Sequence, residues 1–340
     1  MQRKKALAIA GANGFGRFGL NLLKTWLEDK KPAYKIRYWN DEKLSPKNMY
    51  KIIKSDPHVS FDGYKVLLDK NTLSITTPDG REEIVECTSG PAESARWIGK
   101  PDIFFECSGS RTAIAKSKPF LKGNTKIITI SATSWDADGT FLFNYNHHEF
   151  KPEKHKIISY GSCTVNGYIP LAAFLHKKFG VLDSAVNIIH NIQQYRLPNY
   201  NTLDRRFCTL EKQGPAFLPF LRKNNFMVNY TVVPYSGASI MDMSFRLKKR
   251  VSREKLLRTI KNAIKKGGEL YGLYTIIPKN SGPEPHVRSP YNAAIVENAL
   301  HMRDKTAHLF TYFYNEGATR YHELTSHVAK QIVKRMLPHS

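Results

Sequence analysis

The stretch that most limits what this chain can fold into runs from Ala6 to Glu28, ALAIAGANGFGRFGLNLLKTWLE. An apolar run suited to a buried strand passes through a glycine-rich turn into a segment whose Leu20, Leu23, Trp26 and Leu27 recur at helical spacing. The glycines fall at 14, 16 and 19, which is GxGxxG in the strand-turn-helix setting that gives the motif its meaning. Each glycine has a physical task there. Gly14 permits the tight turn, Gly16 lets the backbone approach a pyrophosphate, and Gly19 lets helix and strand pack closely while the helix N-terminus faces negative charge. The expected fold class is α/β, with a doubly wound, Rossmann-type parallel sheet around a dinucleotide.

The next strand, KIRYWND, ends at Asp41, about twenty residues past Gly19. An acid there accepts ribose hydroxyls and repels a 2′-phosphate, which favours NAD over NADP. The other reading of Asp41 is a turn aspartate after Asn40. PDIFFECSGS and TKIITISATS continue the alternation of strand and helix. Their polar ends, Ser108-Gly109 and Ser131, fall at the sheet edge where ligands bind.

At 340 residues and 41% hydrophobic, the chain can fill two cores. Arg3, Lys4 and Lys5 before an apolar run imitate a signal peptide, but the run enters a glycine turn without a good cleavage context, so a first strand is expected. No apolar run is long enough to span a bilayer. Cys87, Cys107, Cys163 and Cys208 are widely spaced and form no CxxC pair, which argues against a metal site or disulfide framework and fits a reducing cytoplasm. Lys plus Arg outnumber Asp plus Glu by 52 to 29, for a net charge of +23. Such a field attracts phosphates, nucleotides, nucleic acid or anionic lipid, although its spread along the chain also fits a solvated surface.

In SYGSCTVN, Cys163 directly precedes VNGYIPLAAFLHKKFG, a helical pattern with a glycine stop. At the start of a helix, the dipole and free N–H groups stabilise a thiolate. The strand SAVNIIHNIQQY supplies His190, with Val186 and Ile188 on one face and Ile189 on the other suggesting burial on both sides. An imidazole beside Cys163 could move its proton. Periodicity does not bring the two together, so a small buried thiol and a structural histidine remain alternatives.

Taken in order, the motifs resemble those of the glyceraldehyde-3-phosphate dehydrogenase family. NGFGRFG is similar to that family's NGFGRIG, WND to IND, ECSG to ExTG, ITISATS to VIISAPS, and SYGSCTVN to SNASCTTN. VVPYSGASIMDM resembles RVPTPNVSVVDL, and FYNEG resembles YDNEWGYS. The resemblance implies that Cys163 attacks an aldehyde, that His190 is its base, and that a thioester forms on sulfur. It implies contacts to NAD from Asn13, Gly14, Phe15, Gly16, Arg17, Phe18, Gly19, Asp41, Ser108, Gly109, Ser131 and Asn315. Ser162 and Thr164 would bind a phosphate group, with Gln193 and Arg196 on the substrate side. The expected organisation is an NAD-binding domain over 1–162, a catalytic domain with a mostly antiparallel sheet over 163–311, and a C-terminal helix over 312–340 returning to the first domain. A cytoplasmic homotetramer follows from the family's habit.

Departures from the family gather on phosphate recognition. Its second signature threonine is Val165, the threonine after the histidine is Gln193, the arginine of RVP is Val232, and no STGAAKA segment lies between Arg206 and Val232. Arg196, Arg205 and Arg206 are the cations that could compensate, or else a basic subunit contact. Three functions compete on sequence grounds. The first is oxidation of a small, anionic aldehyde other than, or broader than, glyceraldehyde 3-phosphate, with water competing for the thioester. The second is the orthodox phosphorylating reaction with rebuilt phosphate sites. The third is a non-catalytic homologue using its charge on nucleic acid or another polyanion.

Overall fold

The computed structural model describes residues 7–192, 202–235, 237–313 and 317–336. It divides into two compact units, Met1–Gly161 with Ala318–Ser340, and Ser162–Gly317.

In the first unit, β1 (Ala8–Asn13), β2 (Tyr34–Asp41), β3 (Lys65–Asp69), β4 (Thr72–Thr76), β5 (Glu82–Ser89), β6 (Ile103–Glu106), β7 (Ile127–Ile130), β8 (Gly139–Thr140) and β9 (Ile157–Ser159) form one sheet. Its order is β3-β4-β5-β2-β1-β6-β7-β9-β8. All pairings are parallel except those of β4 with β3 and β5. The strand order reverses at β1, which sits between β2 and β6 and so marks the switch point where such sheets bind ligands. Helix α1 (Arg17–Glu28) buries Leu20, Leu23, Trp26 and Leu27 as its spacing predicts. Helices α2 (Pro46–Ser55) and α3 (Ile114–Ser117) follow β2 and β6.

The C-terminal helix, Ala318–Met336, packs on α1 within this unit. It is tied there by a buried relay in which Asp29 bonds His322 Nε2 at 3.0 Å and His322 Nδ1 bonds the Tyr34 hydroxyl at 2.7 Å. Tyr321 adds edge-to-face contacts with Phe18 and Phe105.

In the second unit, α4 (Cys163–Phe179) is followed by β10 (Val181–Asn191), α5 (Leu210–Phe217), β11 (Phe226–Val233), β12 (Ser239–Leu247), α6 (Arg253–Ile264), β13 (Tyr274–Ile277), β14 (Ala293–Val296), β15 (His301–Arg303) and β16 (Thr306–Phe313). The sheet runs β11-β10-β12-β16-β14-β13, with β15 also on β16. It is mostly antiparallel, but β10–β11 and β13–β14 are parallel pairs. Ile189 departs from expectation: it is 41% exposed, so β10 is buried on one face only, the face carrying Val186 and Ile188.

Pro170 interrupts the hydrogen-bond ladder of α4. The break is patched by Tyr274, whose hydroxyl accepts from Leu171 N at 3.1 Å and donates to Gly167 O at 3.0 Å, and by Asn292, which donates to Asn166 O at 2.9 Å. The helix that begins at Cys163 is thus held rigid despite its proline.

Candidate functional site

In the first unit the functional edge is built from backbone. Gly14 has φ +99°, and a Cβ there would lie 2.5 Å from Ser108 N; a Cβ on Gly19 would collide with the Gly14 carbonyl. Gly16 is different, because nothing lies within 4 Å of where its Cβ would be. It stands at the N-cap of α1 with no side-chain cap, leaving the helix's first N–H groups turned toward an open cradle. Gly109, at φ +72°, likewise faces open space. A cradle that a Cβ would fill, at an uncapped helix terminus, fits the diphosphate of a dinucleotide.

A buried polar chain stiffens this edge. Glu106 Oε2 accepts from Asn13 Nδ2 at 3.0 Å, Asn13 Oδ1 accepts from Asn40 Nδ2 at 3.0 Å, and Asn40 Oδ1 accepts from the Thr88 hydroxyl at 2.8 Å. Trp97 Nε1 then donates to Thr88 at 3.0 Å. A carboxylate only accepts, so Glu106 fixes the direction of each amide along the C-terminal ends of β6, β1, β2 and β5. Burial pushes the Glu106 carboxyl up, against the bonds from Ser108 and Asn13. Asn13 is thereby a buried strut, its side chain occupied within the network.

Asp41 Oδ2 accepts from Phe15 N at 2.7 Å, while its Oδ1 accepts from Lys43 N at 2.8 Å and Leu44 N at 2.9 Å. It is half-buried at the end of β2, where its bonds to Lys43 N and Leu44 N are those of the turn reading and its bond to Phe15 N ties it to the glycine turn. Phe15 is buried edge-on against Trp39, and Phe18 against Tyr321. Arg17, Ser108 and Ser131 are half-buried around the same edge. The Ser108 hydroxyl bonds Glu106 and, at 2.7 Å, Ser110. Asn315 lies outside the described residues.

In the second unit, Cys163 is the first residue of α4, with Ser162 as N-cap. Cys163 Sγ lies 3.5 Å from His190 Nε2. His190 Nδ1 is 2.6 Å from the Asn191 carbonyl, which can only accept; the proton therefore sits on Nδ1 and the Nε2 lone pair faces the sulfur. Burial pushes the imidazole below its usual range, partly opposed by the Asn191 bond. The ring lies between Tyr230 at 5.4 Å and Phe313 at 6.0 Å, centroid to centroid.

The other cysteines differ. Burial pushes Cys87 up to about 12 and raises Cys107 and Cys208 as well. Cys163 alone among the four is half-exposed.

Three hydroxyls meet at Ser162, the residue before Cys163. Ser162 Oγ is 3.0 Å from Thr164 Oγ1 and accepts from Thr209 Oγ1 at 2.7 Å, while Val165 N donates to the same Ser162 oxygen at 3.3 Å. Thr209 was missed by sequence reasoning; it belongs to no motif and reaches Ser162 only through the fold. Val165 and Val232 are core residues at 0% and 3% exposure, so neither can greet an anion. Arg205 is paired with Glu211 at 3.0 Å, and Arg206 is half-buried beside β11, its N–H bonded to Tyr230 O. Gln193 and Arg196 lie outside the described residues. Among the described residues there is no group of three or more His, Cys, Asp or Glu placed to hold a metal, and no helix long and apolar enough to cross a membrane.

No family model matches the chain. Among curated proteins it is 30% identical over 308 residues to glyceraldehyde-3-phosphate dehydrogenase of Geobacillus stearothermophilus, covering 85% of this chain and 86% of the other. It is 26% identical to the cytosolic glyceraldehyde-3-phosphate dehydrogenase of Chlamydomonas reinhardtii over 340 residues, covering 94% and 96%. The cytosolic enzyme of Pisum sativum is similar at 26% over 343 residues, covering 95% and 98%.

Proposed function

This chain belongs to the glyceraldehyde-3-phosphate dehydrogenase family, and from that premise we propose that it oxidises an anionic aldehyde with NAD and passes the acyl group from Cys163 to phosphate. The observation that carries the reading is the 3.5 Å approach of Cys163 Sγ to the unprotonated nitrogen of His190.

The first unit would hold NAD through the Gly14–Gly19 turn, the α1 terminus and Asp41, and the nicotinamide supplies the two-electron oxidant. Cys163 Sγ adds to the aldehyde carbon while His190 Nε2 takes the thiol proton and returns it to the new alkoxide. As the thiohemiacetal loses hydride, His190 takes the hydroxyl proton back and the carbonyl re-forms as a thioester. An imidazole with a lowered proton affinity is neutral, and ready to accept, at neutral pH. The α4 N-terminus stabilises negative charge on the leaving sulfur in the next step.

That next step is where the three hydroxyls matter. The Ser162 hydroxyl accepts from Thr209 and from Val165 N, which turns its own proton toward Thr164 or toward an oxyanion held beside the sulfur, where the α4 N-terminus also favours negative charge. Sequence alone pointed toward water as acceptor because the STGAAKA threonine is absent; the bond from Thr209, which orients the Ser162 hydroxyl, supports phosphate instead. A phosphate oxygen attacks the thioester carbon, the Cys163 thiolate leaves, and an acyl phosphate is released. With Val165 and Val232 in the core, Arg206 and Arg196 are the proposed cations for the substrate's own anionic group. The exposed Leu182, Ile189 and Met227 on the outer face of β10 and β11 support self-association, a tetramer by the family's habit.

The test is to follow NADH over many turnovers with and without inorganic phosphate. We expect a single burst that stalls until phosphate is added, with an acyl phosphate as product. Sustained turnover to a carboxylate in phosphate-free buffer would assign the acyl group to water, and no burst at all would leave a non-catalytic, polyanion-binding homologue.

A further inference from the structure

A second electrostatic device lies along the same edge of the first unit, where the loops after β2, β5 and β6 converge. Arg111, from the β6 loop, reaches back to the other two. Its guanidinium bonds Glu42, the neighbour of Asp41, and also Glu93, Nε to Oε1 at 3.1 Å and Nη2 to Oε2 at 3.2 Å. Nη1 lies 3.3 Å from the Ser110 hydroxyl, and the group rests 5.8 Å from the Phe120 ring centroid. Its side chain is only 11% exposed, whereas those of the two acids are 36% and 51% exposed. In a chain where bases outnumber acids 52 to 29, three acids, Asp41, Glu42 and Glu93, gather at this edge.

An arginine beside the ribose-binding acid is the group that accommodates a 2′-phosphate, since its planar fork matches phosphate geometry. Here that fork is already filled by two carboxylates. On the reading that Asp41 meets the adenosine ribose, we propose that Arg111 is a latent ligand for the 2′-phosphate of NADP, and that Glu42 and Glu93 keep it captured, so that these two acids share with Asp41 the preference for NAD. Lys43, in the loop after Asp41, and Lys47, in the first turn of α2, are the other cations able to meet such a phosphate.

The test is calorimetric binding of NAD and NADP, with no turnover required. Wild-type protein should bind NAD and prefer it; failure to bind NAD would sink the cofactor reading itself, separately from the proposal. Glu42→Gln with Glu93→Gln should keep NAD affinity and tighten NADP by about tenfold or more, the scale of one freed charge-assisted contact. Adding Arg111→Met to that pair should abolish the gain. If the double variant loses NAD, the comparison is made on each single variant. An unchanged NADP affinity overturns the proposal, and so does a gain that survives Arg111→Met, which would assign the phosphate to the lysines or to the general loss of negative charge.

Discussion

The two functional regions are built on opposite plans. At the glycine-turn edge the contacts offered are mostly backbone, and the residues that shape them are neighbours in sequence: Gly14, Gly16 and Gly19 do their work within one turn. At the thiol, the groups offered are mostly side chains, and two of them are brought in over distance. His190 lies 27 residues from Cys163 and Thr209 lies 47 from Ser162. What the two share is a helix N-terminus, left uncapped at Gly16 and capped by Ser162 at Cys163. An open terminus suits a ligand that arrives with its own negative charge. A terminus whose capping hydroxyl is tied to its neighbours suits a nucleophile that must be aimed and an acceptor that must be presented to it.

The largest effects should come from breaking the side-chain region. Cys163→Ser should reduce steady-state aldehyde oxidation on the order of 10³-fold or more, the scale for losing a covalent nucleophile. His190→Ala should cost about 10²- to 10⁴-fold in kcat/KM, the range for a general base. NAD affinity measured by calorimetry should stay near wild type in both, which keeps the two regions separable.

The backbone region should break differently. Gly19→Ala places a Cβ against the Gly14 carbonyl and should lower stability in urea by roughly 2–3 kcal/mol, as overpacking against backbone does. Gly16→Ala has open space and should cost at most about 1 kcal/mol in stability, yet weaken NAD binding by obstructing the diphosphate. Equal stability losses for the two would mean that Gly16 is structural after all.

These contrasts also explain what was legible in the sequence. The glycine turn was, because only glycine tolerates φ +99° at residue 14 or the close approach at residue 19, so geometry leaves its mark on residue type. Cys163 at a helix start was legible too, from the pattern that follows it. Ile189 misled because an apolar residue on an uncovered sheet face looks identical, in one sequence, to one in a core. Thr209, Glu42, Glu93 and Arg111 were not legible because a hydroxyl or a charge carries no local signature of the partner that the fold brings to it.

A smaller effect sharpens the comparison through pH. His147 in the first unit is pushed down to about 4 by burial and by the nearby His327 and His148; His327 is itself lowered, by burial and by Lys330, Lys334 and His148. A histidine depressed in the folded state binds fewer protons there than when unfolded. Its stabilising contribution is therefore complete above about 6.5, the ordinary histidine value, and is lost as pH falls toward 4. Urea midpoints measured from pH 7.5 to 4.5 should decline, and His147→Phe should flatten the decline. The lowered His190 acts with the same sign on stability, but its signature is kinetic: the acid limb of kcat/KM should fall below the ordinary histidine range and vanish in His190→Ala.

On the proposed function, the acyl group passes through the sulfur of Cys163. The most direct measurement is a single-turnover reaction with NAD and glyceraldehyde 3-phosphate in phosphate-free buffer, quenched in acid and mapped by peptide mass spectrometry. One acyl adduct is expected per NADH formed, on the peptide carrying Cys163 and on none carrying Cys87, Cys107 or Cys208, discharged when phosphate is added before the quench. NADH formed without an adduct on Cys163, or formed undiminished by Cys163→Ser, would contradict it.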